Sequence, residues 1–149
     1  MQALILAAGM GTRMGHYTER ISKCMLSIEG ISLIERAVTS IKNAGIERLI
    51  VVTGYKSNVL SSFIDERIED IEIEFIDNPL YETTNNIYSL YLARHEMVKY
   101  DTILLEADLI FGEDLIFSLC QTPEANMAVV DQYDPTWMNG TVVKLQDGT

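Results

Sequence analysis

Positive charge is scarce in this sequence: 11 lysines and arginines stand against 22 aspartates and glutamates, for a formal net charge of −11. A broad nucleic-acid or anionic-membrane surface needs clustered cations, so neither partner is expected. Long apolar runs are missing as well. The stretch Leu4–Ala8 is far too short to span a membrane or to act as a secretory signal. Cysteine is limited to Cys24 and Cys120, and neither His16 nor His95 has metal-ligand spacing to a second histidine or cysteine. A reducing, cytoplasmic setting with free thiols is the expectation. At 149 residues the chain is one domain by length and buries enough surface to fold without disulfide or metal staples. Seven acids and one base, Arg67, fall in Asp65–Asp77, which reads as a solvated helix end and an outer strand.

The hydrophobic period alternates between strand-like and helical stretches, the order expected of repeated strand-helix units around a mostly parallel sheet. Ala3–Ala7 is apolar throughout and predicts a strand buried on both faces. The stretch 31–45 predicts a helix: Ser32 as N-cap, Glu35 completing a capping box, Ile34, Val38 and Ile41 on one face, and Gly45 as stop. A strand ending near Thr53 follows, then a helix capped by Ser57. Ile71, Ile73 and Phe75 alternate with Glu72 and Glu74, as in a strand with one wet face. Residues 85–99 read as a helix led by Thr83 or Thr84, 102–108 as a buried strand, 113–120 as a short helix, and 126–133 and 141–145 as late strands. The closing Asp147-Gly148 is a turn signal with no returning strand, so the chain is expected to be the N-terminal portion of a longer catalytic domain.

The connection from Ala8 to Gly30 departs from this rhythm. It is glycine-rich, basic and polar, and far longer than the roughly 2–6 residues usual between strand and helix, which marks it as functional. Three glycine-rich phosphate designs compete for it. A Walker A loop needs lysine after GxxxxG, and Met14 and His16 stand where its second glycine would be. The dinucleotide fingerprint wants glycine at Met14 and an acid closing the second strand, where Thr53 and Gly54 stand instead. The third design is a strand, AAGMGTR, a long loop and then a lysine, Lys23. Its glycines let backbone amides approach a triphosphate, and Arg13 and Lys23 balance its charge. A hard divalent cation would need a carboxylate, and Asp108 closes an apolar strand where ligands of open α/β sheets collect, with Glu106 on the same side of the extended chain.

The stretch LILAAGMGTR with Lys23 and Asp108 resembles the nucleotidyltransferase superfamily of glycosyltransferase-A-like fold, whose signature is GxGTR followed by proline and lysine. Ser22 takes the proline's place here. The resemblance implies a three-layer, Rossmann-like α/β sandwich. It assigns Arg13, Lys23 and Asp108 to catalysis, with Asp108 binding Mg2+. Leu6, Ala7, Ala8, Gly9, Met10, Gly11 and Thr12 then bind nucleotide. The segment 78–93, NPLYETTNNIYSLYLA, resembles the branch that makes CDP-linked head groups, the phosphocholine and 2-aminoethylphosphonate cytidylyltransferases. That resemblance adds Asn85, Asn86 and Ser89 to the nucleotide contacts. It implies CTP and a small phosphorylated or phosphonate acceptor as partners, with a homodimer as one assembly. A choline or aminoethyl cation needs an aromatic face or an acid, and Trp137 lies near Asp131 and Asp134. Asp131 and Trp137 are therefore the candidate acceptor contacts. A sugar 1-phosphate acceptor, a nucleotide-binding module without turnover and a dinucleotide-dependent oxidoreductase stay open as alternatives.

Overall fold

The computed structural model describes residues 1–124, 126–132 and 134–136. Among them four parallel strands form the central sheet. β1 (Gln2–Leu6) precedes a short antiparallel hairpin, β2 (Ser27–Ile28) and β3 (Ile31–Ser32), and helix α1 (Leu33–Asn43). There follow β4 (Arg48–Thr53), α2 (Ser57–Arg67), β5 (Glu72–Asp77), α3 (Asn86–Met97), β6 (Thr102–Glu106) and α4 (Leu115–Gln121). The sheet order is β5-β4-β1-β6, with Leu4 opposite both Ile50 and Leu104.

Successive residues of a strand point to opposite faces, so β1 feeds two cores at once. Ala3, Ile5 and Ala7 pack with Leu49 and Val51 against Ile34, Ile41, Leu60, Ile64 and Ile116, from α1, α2 and α4. Leu4 and Leu6 pack with Ile50 and Val52 against Ala93, Leu90 and Met97 of α3. Helices cover both faces, which makes the three-layer α/β sandwich that the resemblance implies, on a sheet parallel throughout the described residues.

α1 forms as its sequence predicts. Ser32 Oγ accepts from the Glu35 amide at 3.2 Å, the Glu35 carboxylate accepts from the Ser32 amide at 2.9 Å, and Gly45 follows the last turn. Other expectations are corrected. Ser57 is the first helical residue of α2 and Lys56, at φ 56°, is its cap. α3 is capped by Asn85, whose Oδ1 accepts from the Ile87 amide at 3.1 Å, because Thr84 instead turns its hydroxyl back to the Leu80 carbonyl at 2.7 Å. β6 is not a buried strand: among the described residues it pairs only with β1, leaving Leu104 46% exposed. Residues 126–132 form no strand, since no ladder partner within the described residues satisfies their backbone, and Val129 and Val130 are exposed. The strand expected over 141–145 and the turn at Asp147-Gly148 lie outside the described residues.

Burial raises the Glu35 carboxyl, but hydrogen bonds from the Ser32 hydroxyl and amide, with the Arg67 charge, outweigh it and hold the group below its ordinary value. A depressed carboxyl stabilises the fold above its unfolded pKa, and that contribution is lost as pH falls through the folded value. Ser32→Ala is therefore expected to cost about 1 kcal/mol at neutral pH, read as a lower urea midpoint. The gap to wild type should narrow as pH falls below the ordinary glutamate range and Glu35 protonates.

Candidate nucleotide site at the carboxyl ends of the strands

Parallel pairing puts the carboxyl ends of β1, β4 and β6 side by side, and the unusual loop starts there. The ladder runs one residue past β1, with the Ala7 amide donating to the Val52 carbonyl at 2.8 Å. Ala7 and Ala8 are buried, and β4 closes tightly against them through Gly54. A Cβ on Gly54 would lie 2.9 Å from both Ala8 Cβ and the Ala8 carbonyl oxygen and 2.8 Å from Tyr81 Cβ. The Tyr55 amide then donates to the Ala8 carbonyl at 3.0 Å, fixing where β1 ends.

Beyond Ala8 the chain comes to the surface at Gly9 and reverses at Gly11, whose φ of 64° is the left-handed conformation that L side chains rarely adopt. A Cβ at Gly11 would press on Thr18 Cγ2 at 3.2 Å and Lys23 Cβ at 3.3 Å. Buried Thr18 donates its hydroxyl to the Gly11 carbonyl at 3.0 Å and to that of Gly15 at 3.3 Å, closing the loop on itself. The loop is thus structured, with 3-10 turns over Thr12–Thr18 that kink at Gly15, where φ is 56°, and a further 3-10 helix over Lys23–Met25. Arg13 projects from the first, exposed and without a hydrogen bond or ion pair among the described residues. Ser22 holds φ −68°, the value a proline ring would fix, with an extended ψ of 148°, so serine keeps the backbone shape the signature proline would favour before Lys23. Next to it Cys24 is fully buried and its thiol is pushed up to about 11 by that burial, which keeps it protonated and excludes it as a nucleophile.

Lys23 Nζ donates to Asp108 Oδ2, joining the glycine loop to the segment just after β6. Both side chains are about one-third exposed, and a pair that wet is worth about 0–1 kcal/mol, little enough for a ligand phosphate to replace Asp108 at the ammonium. Glu106, two residues back, receives the Asn86 side-chain amide at 2.8 and 2.9 Å on its two oxygens. Burial pushes the Glu106 carboxyl above its ordinary value; the Asn86 bonds oppose this and the Asp108 charge adds to it. Among the described residues no group of three or more histidine, cysteine and acidic side chains gathers to hold a metal.

Leu6, Ala7, Ala8, Gly9, Met10, Gly11, Thr12, Arg13, Lys23 and Asp108 are thus brought to one end of the sheet. Asn86 joins them through Glu106, and Asn85 serves as the cap beside it. Ser89 is placed otherwise: it is buried, and its hydroxyl accepts from Asn78 Nδ2 at 3.1 Å. Asn78, itself buried, also donates to Thr84 Oγ1 and accepts from the Leu80 amide, pinning the segment that leads into α3. Asp131 is exposed and accepts from the Gln132 amide at 2.7 Å, with no contact to Lys23 or Asp108. Trp137 lies outside the described residues. Thr18, Tyr55 and Asn78 escaped the sequence reading. For Tyr55 and Asn78 the only signal was position: Tyr55 lies two residues past the end of β4, and Asn78 directly follows β5.

The MobA-like NTP transferase domain family matches residues 3–143 of this chain. The chain belongs to that family. The CTP:phosphoglutamine cytidylyltransferase of Campylobacter jejuni is 34% identical over 137 residues, covering 89% of this chain and 53% of that protein. The 2-aminoethylphosphonate cytidylyltransferase of Lancefieldella rimae is 35% identical over 115 residues, 77% of this chain and 46% of the relative. Among solved structures, the CTP:phosphocholine cytidylyltransferase of Streptococcus pneumoniae superposes with a TM-score of 0.62 at 31% identity, covering 76% of this chain and 50% of that one. The chain thus spans about half the length of these relatives. No helix among the described residues is long and apolar enough to cross a membrane.

Gly54 is the tightest point of the domain's site. Gly54→Ala forces backbone or Tyr81 to move and is expected to cost about 1–3 kcal/mol, read as a lower melting midpoint.

Proposed function

We propose that the chain carries the nucleotide-holding part of a cytidylyltransferase, moving CMP from CTP to a small phosphorylated or phosphonate acceptor with release of pyrophosphate. The observation that carries this reading is the meeting of Lys23 and Asp108, 85 residues apart, at the mouth of the glycine loop. An anionic oxygen of the acceptor bonds to the α-phosphorus as the bond to the β-phosphate bridging oxygen breaks, and that oxygen leaves as pyrophosphate. The acceptor is already an anion at neutral pH, so the protein's work is positioning and charge stabilisation.

In this reading the amides of Gly9 to Thr12 and the exposed Arg13 hold the β- and γ-phosphates. Lys23 leaves Asp108 for the α-phosphate and the incoming acceptor oxygen. Ala7 and Ala8, small and flush with the strand end, leave space for the base. Magnesium takes one or two carboxylates together with substrate phosphates and water, and the accessible Asp108 with Glu106 behind it fits that donor set. Held there by Asp108, the ion would supply neutralisation of charge on the phosphate oxygens. Asn86 would steady the site by fixing Glu106. The CTP base and the choice among phosphocholine, 2-aminoethylphosphonate and other phosphorylated acceptors rest on the likeness to the cytidylyltransferases. Asp131 and Trp137 are proposed to meet the acceptor cation, and the dimer and cytoplasmic setting are proposed with them.

The test is pyrophosphate release across four nucleoside triphosphates, with phosphocholine, 2-aminoethylphosphonate and sugar 1-phosphates as acceptors. CTP with a phosphocholine-like acceptor is expected to be the productive pair. Asp108→Asn and Lys23→Ala should each lower magnesium-dependent release by about 10²-fold or more. Retained activity in both variants would remove the assignment, and CTP binding without release under any acceptor would leave a nucleotide-binding module.

A further inference from the structure

The segment 12–22 carries Arg13 and leads into Lys23; Ile21 packs it on the core near its end, but a single side chain hydrogen-bonds it to the rest of the molecule among the described residues. Among the described residues, the hydrogen bonds that join it to an element outside the loop come from Tyr55, whose hydroxyl reaches the carbonyls of Thr18 and Glu19, each at 3.0 Å. A phenol has a single proton, so this is one bond shared between two consecutive acceptors. It grips the peptide of the residue that closes the loop, since Thr18 in turn bonds the carbonyls of Gly11 and Gly15. Tyr55 is itself well anchored. Its amide donates to the Ala8 carbonyl at 3.0 Å, its ring packs edge-on against Tyr81 at 6.1 Å, and Lys56 Nζ lies 5.3 Å from the ring centroid. One residue thus touches both limbs of the loop, the strand end at Ala8 and the returning limb at Thr18 and Glu19.

We propose that Tyr55 is a positioning residue that holds the glycine loop in its phosphate-receiving shape, acting through Thr18 and Gly11 without touching the nucleotide. The proposal rests on the nucleotide reading of this site and specifies which part of the ligand depends on Tyr55. The β- and γ-phosphates fall to the loop's amides and Arg13, whereas the base lies at the strand end, which the Tyr55 amide fixes whatever its side chain, and the α-phosphate falls to Lys23, which is anchored by buried Cys24 beside it and by Asp108. Removing the hydroxyl should therefore weaken triphosphate binding and spare the monophosphate.

Tyr55→Phe keeps the ring contacts and removes only the shared bond. Two measurements on the full chain test it: hydrogen exchange of the amides in 12–22, and calorimetric binding of CTP and of CMP. Loss of one neutral hydrogen bond predicts exchange about fivefold faster in 12–22 and CTP binding about fivefold weaker. CMP binding should stay within about twofold. A melting midpoint within a few degrees of wild type is expected alongside. Unchanged exchange, or unchanged CTP binding in a chain whose wild type binds CTP, overturns the role of Tyr55 alone. Equal weakening of CTP and CMP also overturns it, as that is the mark of general structural damage. A wild-type chain that binds CTP no more tightly than CMP overturns it together with the nucleotide reading.

Discussion

β1 is hydrogen-bonded in parallel on both sides, to β4 and to β6, and is buried on both faces. Parallel strands put their carboxyl ends on one edge, where the backbone runs out of ladder partners and must find others. That is why the Gly9 loop, the Gly54-Tyr55 turn and Asp108 all emerge within reach of one another. The apolar residues of β1 do chemical work indirectly. By leaving no alternative register, they deliver Ala8 to the one place where Tyr55 can bond it and Gly54 can close on it.

Charge is segregated along the same axis. The amino ends of the strands carry Arg48, part-buried beneath Tyr100 and bonded to Glu96 at 2.8 Å, to Glu74 and to Gln2. Hydrogen bonding to Glu96 outweighs burial and, with the charges of the nearby glutamates, raises the guanidinium above its ordinary value, so the cation is fully committed there. At the carboxyl ends the cations are less committed: Arg13 is exposed, and Lys23 is held by one accessible carboxylate. A net charge of −11 repels anions at long range, and a local excess of available cations is what lets a phosphate site operate within it.

Much of this could be read from residues alone, wherever the physics is local. The capping box of α1 needs only Ser32 and Glu35 three apart, and the glycine spacing around Arg13 ruled against a Walker A loop and counted against a dinucleotide fingerprint. Caps chosen by competition were less legible. Thr84 has the chemistry to cap α3, but its hydroxyl satisfies Leu80 first, and Asn85 takes the role. Burial was misjudged at β6, because an apolar run says that a strand has packing capacity without saying how many neighbours use it. Ser89 reads as a ligand contact by its neighbourhood in sequence and turns inward because Asn78, eleven residues earlier, waits for it. Tyr55 had no motif at all: its importance arises only when the end of β4 is placed beside β1.

The sheet order also sets a timetable. β1 is made first, yet its partners arrive late, β4 some 45 residues on and β6 a full hundred, with Gln2 opposite Thr102. Contacts this distant in sequence must close large chain loops before they return any stability, which makes parallel sheets slow to form. The ion pair of Lys23 and Asp108 lies beyond the last of these closures. A nascent or partly folded chain can hold its first strand, its capped helix and even its glycine loop, and still lack the juxtaposition on which the chemistry depends. The competence of the site is thus a report that the whole ladder has closed.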